Sequence, residues 1–304
     1  MEKPERRSVI HLFDPMPHTS PFDINMAVDA GFEVVIPYTD VKLEQVHGLV
    51  QDAIFSRGPA GVKRTGIFIG GRDIGLAMTM LEATKKAMVP PFQVSVLADP
   101  SGAFTTAAAL VACVEKQLKA KHNRELKECR AVVFGGTGPV GIATGVIVSL
   151  CGADTTLVDH LNIENALRVA AQYSRLCECR LRGTFAGSDA DKAYLLGDAE
   201  VVFCTAKAGI EVLNPRVLSD TRTLKVAGDV NAVPPLGIAG IGLKDCGAPL
   251  LHAGHSPGAV GIGALAVGNV KYHLQQTLLR LMLESEKPAF FDFRHAFERA
   301  RLVV

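Results

Sequence analysis

An excess of either charge is what this chain lacks first: 32 Lys and Arg stand against 31 Asp and Glu, a formal net charge of +1. Such balance leaves no electrostatic footprint for nucleic acid or an anionic membrane, so neither is expected as a partner. Long hydrophobic runs are missing too. None approaches the roughly eighteen apolar residues that span a bilayer. The opening Met-Glu-Lys-Pro-Glu-Arg-Arg is too polar for a secretory signal, so a cytoplasmic protein is expected. Metal-ligand groupings are sparse. Of seven cysteines, an odd number, Cys113, Cys129, Cys151, Cys204 and Cys246 stand in apolar surroundings and read as reduced, buried small hydrophobes. Cys177-Glu-Cys179 has no companion pair, and its alternation suggests a strand. His252-Ala-Gly-His255 lacks a third ligand, and no metal is expected.

Against these absences stands a chain of 304 residues, 48% hydrophobic and 21% charged, the profile of a folded α/β protein of two domains. Its most informative stretch is Val132-Val-Phe-Gly-Gly-Thr-Gly-Pro-Val-Gly141. An apolar strand runs into Gly136-Thr137-Gly138-Pro139-Val140-Gly141, a helix opens inside the pattern, and Gly152 closes it. In that context the first Gly makes the turn, the second lets backbone approach a pyrophosphate, and the third packs helix on strand. A short strand at 154–158 then ends in Asp159, about twenty residues past the motif. That is where an acidic side chain accepts the ribose hydroxyls of NAD and repels a 2′-phosphate. These features predict a dinucleotide site.

Strand-like and helix-like segments alternate before the motif: strands at 8–13, 33–38, 64–70 and 92–98, helices at 21–30, 43–55, 73–88 and 105–121. Polar residues 121–130 are the linker candidate. Strands at 131–134, 154–158, 179–184, 200–204 and 223–227 form the second series. A Gly/Pro-rich stretch at 229–263 is long for a structureless loop and therefore expected to be functional. A long helix near 264–286 and a short one near 294–301 end the chain. The expected organisation is α/β with two doubly wound domains, 1–124 plus 268–304 and 125–267, the second of Rossmann type.

Substrate is then expected at the carboxyl ends of the strands, where three polar features fall. In Thr19-Ser20-Pro-Phe-Asp23, Ser20 and Asp23 serve either a capping box or a ligand. In Asp99-Pro-Ser-Gly102-Ala-Phe-Thr105-Thr106, Asp99 suits a type I turn, either threonine suits a helix N-cap, and both suit a site. Lys271 interrupts the helical stripe Val267, Val270, Leu274, Leu278, Leu281, where a lysine pairs, snorkels or serves a site. Asp229 and Asn231 follow the last strand and either face the nicotinamide or turn their own loop.

In order along the chain, Thr19-Ser-Pro-Phe-Asp23, Gly66-Ile-Phe-Ile-Gly-Gly71, Ala98-Asp-Pro-Ser-Gly-Ala-Phe-Thr-Thr106, the glycine motif, Asp229-Val-Asn-Ala-Val-Pro-Pro-Leu-Gly-Ile-Ala-Gly240 and Val260-Gly-Ile-Gly-Ala-Leu-Ala-Val-Gly-Asn-Val-Lys271 closely resemble the bacterial NAD(P)-dependent methylene-tetrahydromethanopterin dehydrogenases. The similarity is to the methanopterin-dedicated type of methylotrophs and spans nearly the whole chain. It implies a cytoplasmic, homo-oligomeric enzyme of one-carbon metabolism with two α/β domains flanking a cleft. Such an enzyme oxidises the methylene bridge of methylene-tetrahydromethanopterin to the methenyl form and reduces NAD, or NADP, in formaldehyde oxidation. The resemblance ties Asp23, Thr105, Thr106 and Lys271 to pterin binding and hydride transfer. Asp99, Ser20, Gly102 and Asn269 join them as substrate-side candidates. On the cofactor side stand the glycine motif, Asp159, His160, Thr205, Ala206, Asp229 and Asn231. Members that strongly prefer NADP carry a basic residue at the end of the second cofactor-domain strand. This chain has Asp159-His160 there, which favours NAD. The rival readings are a methylene-tetrahydrofolate or shikimate-type dehydrogenase on the same architecture, or a non-enzymatic NAD-responsive regulator. Neither Lys85 nor Lys86 has the setting of a shikimate-type Lys–Asp pair, and no partner-binding segment is visible.

Overall fold

Runs of β-branched and aromatic residues become strands, and segments with an apolar face become the helices that separate them. In the computed structural model, which describes residues 6–304, the chain begins β1 (Val9–Phe13), α1 (Pro21–Asp29), β2 (Val34–Tyr38), α2 (Leu43–Phe55), α3 (Gly58–Val62), β3 (Thr65–Ile69), α4 (Ile74–Ala87), β4 (Ser95–Ala98) and α5 (Ala103–His122). It continues through β5 (Arg130–Phe134), α6 (Pro139–Leu150), β6 (Asp154–Asp159), α7 (Ile163–Cys177), β7 (Leu181–Phe185), α8 (Asp189–Leu196), β8 (Val201–Cys204), α9 (Pro215–Ser219) and β9 (Val226–Asp229). It closes with β10 (Cys246–Pro249), β11 (Val260–Ile262), α10 (Ala264–Glu284), β12 (Phe290–Phe291) and α11 (Phe293–Val303).

Two units result. The first runs to Thr105 and resumes over Tyr272–Ala296. Its sheet has the order β12-β4-β3-β1-β2 with every pairing parallel. Central strands β3 and β4 are buried along their whole length, as parallel strands covered on both faces must be. With β12 as the fifth strand this is the doubly wound order 2-1-3-4-5, in which ligands sit outside the carboxyl ends at the β1/β3 switch.

The second unit comprises Thr106–Lys271 and Phe297–Val304. Its sheet order is β10-β11-β9-β8-β5-β6-β7. Read from β7 to β11 this is 3-2-1-4-5-6, the Rossmann order, with β10 added antiparallel at the edge. Val132 and Phe134 of β5, Val202 and Cys204 of β8, Leu218 and Ile238 pack into one apolar cluster. The glycine motif follows β5, at the switch between β5 and β8.

Some local expectations are corrected. Cys177-Glu-Cys179 is no strand: Cys177 ends α7 and Glu178 is left-handed at φ 54°, so pairing begins only at Leu181. A helix C-cap there overrides the period-2 pattern. The stretch 229–263 contains β10 and β11. Cys246 is exposed, because it opens the edge strand β10, and Cys151 is half-buried; Cys113, Cys129 and Cys204 are buried. Burial pushes the Cys113 thiol up to about 12.

Candidate functional site

The turn after β5 is shaped by four glycines with different burdens. Gly135 has φ +70°, and a Cβ there would lie 2.6 Å from the Ala206 amide nitrogen. The turn therefore demands glycine one residue earlier than the Gly136–Gly138–Gly141 pattern indicates. A Cβ on Gly136 would come 2.7 Å from the Val133 carbonyl oxygen, and one on Gly141 2.2 Å from that of Gly135. Gly138 differs. It is the N-cap of α6, ahead of Pro139 in the first turn, and a Cβ there would meet only the Gly135 carbonyl oxygen at 3.5 Å. Three glycines are required by packing; the fourth is small where the helix N-terminus opens onto a pocket.

That pocket has a volume of about 480 Å³, and Gly135, Thr137 and Gly138 of the turn line it. Val158 and His160 at the end of β6 and Thr205, Ala206 and Lys207 after β8 also line it. The Thr205 hydroxyl donates to the Phe134 carbonyl at 2.9 Å, closing the strand ends together. Lys192 of α8 and Glu211 complete the polar lining. Of the expected cofactor-side residues, Thr137, Gly138, His160, Thr205 and Ala206 line this pocket; Gly135, Lys192 and Lys207 are lining residues that pattern reading missed. Gly135 was legible as the first half of a Gly-Gly step before the motif.

Asp159, Asp229 and Asn231 lie beside it with their polar atoms committed. Asp159 is only 5% exposed. Its Oδ1 accepts from the Leu161 and Asn162 amides at 2.8 and 3.1 Å, its Oδ2 from the Thr137 hydroxyl at 2.8 Å and the Asn165 side-chain amide at 2.7 Å. Burial raises its pKa, but these hydrogen bonds prevail and hold it down at about 2. Buried Asp229 accepts from the Asn231 and Ile238 amides, and burial pushes its pKa above the usual carboxylate range. Asn231 accepts from the Gly209 and Val233 amides and donates to the Pro235 carbonyl, tying the loop after β8 to the loop after β9.

In the first unit, Ser20, Asp23, Asp99, Gly102 and Thr105 all follow the carboxyl ends of β1 and β4. Ser20 is the N-cap of α1 but makes no side-chain cap bond, so the capping box does not form. Asp23 turns inward instead. It is 6% exposed and accepts from the side-chain amide of fully buried Gln275 at 2.9 Å. Asp99, also fully buried, caps α5: it accepts from the Phe104 and Thr105 amides at 2.9 and 3.1 Å and from the Thr105 hydroxyl at 2.6 Å. Neither threonine is the N-cap, because α5 starts at Ala103; Thr106 is half-buried in its first turn. The turn is set by Ser101 and Gly102, both left-handed at φ 55° and 64°. Sequence reading missed Asp14, a buried carboxylate at the end of β1 whose pKa burial raises. It missed Gln275 as well, a second polar residue within an apolar stripe.

On α10, Val267, Leu274 and Leu278 are buried, Val270, Lys271 and Leu281 half-buried, and Asn269 exposed. Lys271 precedes Gln275 by four positions and so shares its helix face. Among the described residues no group of three or more His, Cys, Asp or Glu is gathered for a metal, and no helix is long and apolar enough to cross a membrane.

Fold and site together define a class: a Rossmann unit with a glycine turn, joined to a second parallel α/β unit. Solved structures share this architecture at low identity. Shikimate 5-dehydrogenase of Listeria monocytogenes covers 96% of each chain with TM-score 0.52 and 14% identity. Malic enzyme of Entamoeba histolytica covers 97% of this chain and 75% of its own with TM-score 0.53 and 10% identity. Sequence narrows the class further. Residues 21–101 match the family described as methylene-tetrahydromethanopterin dehydrogenase, N-terminal. The chain is 46% identical, over 97% of its length and 98% of the other, to the NAD(P)-dependent methylenetetrahydromethanopterin dehydrogenase of Methylorubrum extorquens. It is 30% identical over 97% of its length to that organism's bifunctional protein MdtA. The chain belongs to the methylenetetrahydromethanopterin dehydrogenase family.

Proposed function

We propose that this protein oxidises 5,10-methylene-tetrahydromethanopterin to the 5,10-methenyl form with reduction of NAD(P)+, as a cytoplasmic homo-oligomer in formaldehyde oxidation. The observation that carries the reading is 46% identity over essentially the whole length of a relative bearing that activity in its name. The glycine turn fits a dinucleotide: Gly138 leaves open the backbone a diphosphate must approach, at the N-terminus of α6, in a pocket of ordinary ligand size. Gly135, Thr137, Gly138, Thr205 and Ala206 would hold it. When bound, the nicotinamide supplies the hydride acceptor.

The methylene carbon lies between two nitrogens, so the cation left by hydride departure is delocalised over N–C–N. Little proton transfer is required, and the protein's task is placement, with reacting atoms about 3–3.5 Å apart. Asp23 or Asp99 is the carboxylate assigned to the pterin's amino-pyrimidine edge or to the developing positive charge. The hydroxyls of Thr105 and Thr106, Ser20, the Gly102 backbone and Asn269 complete the substrate-side set. An ammonium would oppose a cation at the reacting carbon, so Lys271 is assigned either to a pterin carbonyl or to a pair with Asp23. A shikimate-type proton relay finds no support at Lys85, which pairs with Glu82 of its own helix at 2.7 Å.

The test is a spectrophotometric comparison at 340 nm of methylene-tetrahydromethanopterin, methylene-tetrahydrofolate and shikimate, each with NAD+ and NADP+. The reading requires the methanopterin derivative to be the preferred substrate. Preference for either rival substrate, or no reduction with any, overturns it.

A further inference from the structure

Three buried carboxylates stand at the carboxyl ends of strands in the first unit, and two already have protein donors. Asp99 accepts from the Phe104 and Thr105 amides and the Thr105 hydroxyl, and Asp23 accepts from Gln275. Asp14, the residue after β1, differs. It is 4% exposed. Its Oδ1 accepts from the Met16 amide at 2.9 Å, and among the described residues nothing donates to Oδ2. Burial raises its pKa, and the Met16 amide and the Arg72 charge offset this only in part. That oxygen lies over the end of β3: a Cβ on Gly70 would come 2.9 Å from it. β1 and β3 are paired, and their carboxyl ends form the switch point of the 2-1-3-4-5 sheet, where such folds take ligands. The same connection, between β1 and α1, holds Thr19, whose hydroxyl is buried without a partner. Buried polar groups are nearly always hydrogen-bonded, so two under-satisfied groups in one short connection call for an explanation. Hydrogen-bonding groups of a ligand supply it.

We propose that Asp14 is a substrate-binding residue, whose carboxylate accepts from the ring N3–H and the 2-amino group of the pterin. A carboxylate offers about four acceptor positions. The Met16 amide takes one, so both oxygens remain able to receive a two-donor edge. Donors on the ligand replace the hydration that burial removed, and the anion is better satisfied in the complex than in the protein alone. Gly70 serves the same end by leaving room, since a side chain there would push the carboxylate aside. The proposal rests on the reaction proposed above and names the carboxylate that reads the pterin ring. Asp23 or Asp99 is then left to the developing positive charge.

The test measures pterin binding without nucleotide. Methylene-tetrahydromethanopterin is titrated calorimetrically into the full chain as wild type, Asp14→Asn and Gly70→Ala. NADH is titrated separately by fluorescence, and melting temperatures are recorded without ligand. Asp14→Asn keeps an acceptor for the Met16 amide and removes a buried charge, so its melting temperature should equal or exceed that of wild type. Its pterin dissociation constant should rise at least about ten-fold while the NADH constant stays within about two-fold of wild type. Gly70→Ala displaces Oδ2 with Asp14 intact and should weaken the pterin about three-fold or more, again with NADH unchanged. If Asp14→Asn does not fold, Gly70→Ala carries the test. The proposal is overturned if wild type binds the pterin and either variant binds it equally tightly. It is overturned as well if pterin and NADH weaken together with a fall in melting temperature, the mark of a structural residue. A wild type that binds no methylene-tetrahydromethanopterin would instead remove the proposed function, and this proposal with it.

Discussion

Gln275 donates its side-chain amide to the Asp23 carboxylate at 2.9 Å, and both are buried, so the first turn of α1 is fastened to the middle of α10 within one unit. Gln275→Leu deletes a hydrogen bond to a buried charged group and should cost about 1–3 kcal/mol. Urea unfolding followed by circular dichroism reads this directly. A midpoint equal to wild type would mean that the bond carries no net stability.

The glycines of the turn separate fold from ligand. Gly141→Ala places a methyl 2.2 Å from the Gly135 carbonyl oxygen and should destabilise strongly, by about 2 kcal/mol or more. Gly138→Ala meets only one atom, at 3.5 Å, and sits at ordinary backbone angles. Its melting temperature should stay near wild type while NADH affinity falls. Equal melting temperatures for the two variants would contradict this division of labour.

Much of this was legible beforehand because parallel sheets announce themselves. β3 and β4 are short apolar runs ended by glycine and by Asp-Pro, and α2 was expected at its observed bounds. What escaped was tertiary in origin. Ser20, Pro21 and Asp23 spell a capping box, but Asp23 has a better partner in Gln275, 252 residues away, which no local pattern encodes. Asp159 was legible as an acid at the right place in a Rossmann unit. Its four donors depend on how two loops meet, and spacing is silent on that.

Lys271 follows a glycine loop, lies half-buried on α10 and is assigned to the substrate side. Lys271→Ala should lower kcat/KM for the pterin at least about ten-fold, roughly 1.4 kcal/mol, with the NADH dissociation constant nearly unchanged. If its role were a structural ion pair, the loss would instead appear as about 3–5 kcal/mol of stability with normal pterin kinetics.

His11, half-buried in β1, has its Nδ1 3.1 Å from the Tyr38 hydroxyl. Burial, and then the charge of Arg57, hold its pKa below the ordinary value of 6.5. A folded pKa below the unfolded one means that the stability His11 confers is complete above about pH 6.5 and lost as pH falls. Between pH 7.5 and 5.5 the melting temperature of wild type should therefore fall more steeply than that of His11→Phe. Parallel slopes would show that His11 is not the responsible group.

The proposed reaction is direct hydride transfer from the methylene bridge to the nicotinamide, by a protein that positions rather than protonates. It is tested by presenting methylene-tetrahydromethanopterin dideuterated at the bridge carbon together with NAD+, and analysing the product by mass spectrometry and NMR. Direct transfer puts one deuterium at C4 of the reduced nicotinamide, retains one in the methenyl product, and leaves none in solvent. Unlabelled reduced nicotinamide, or deuterium released to water, would contradict it.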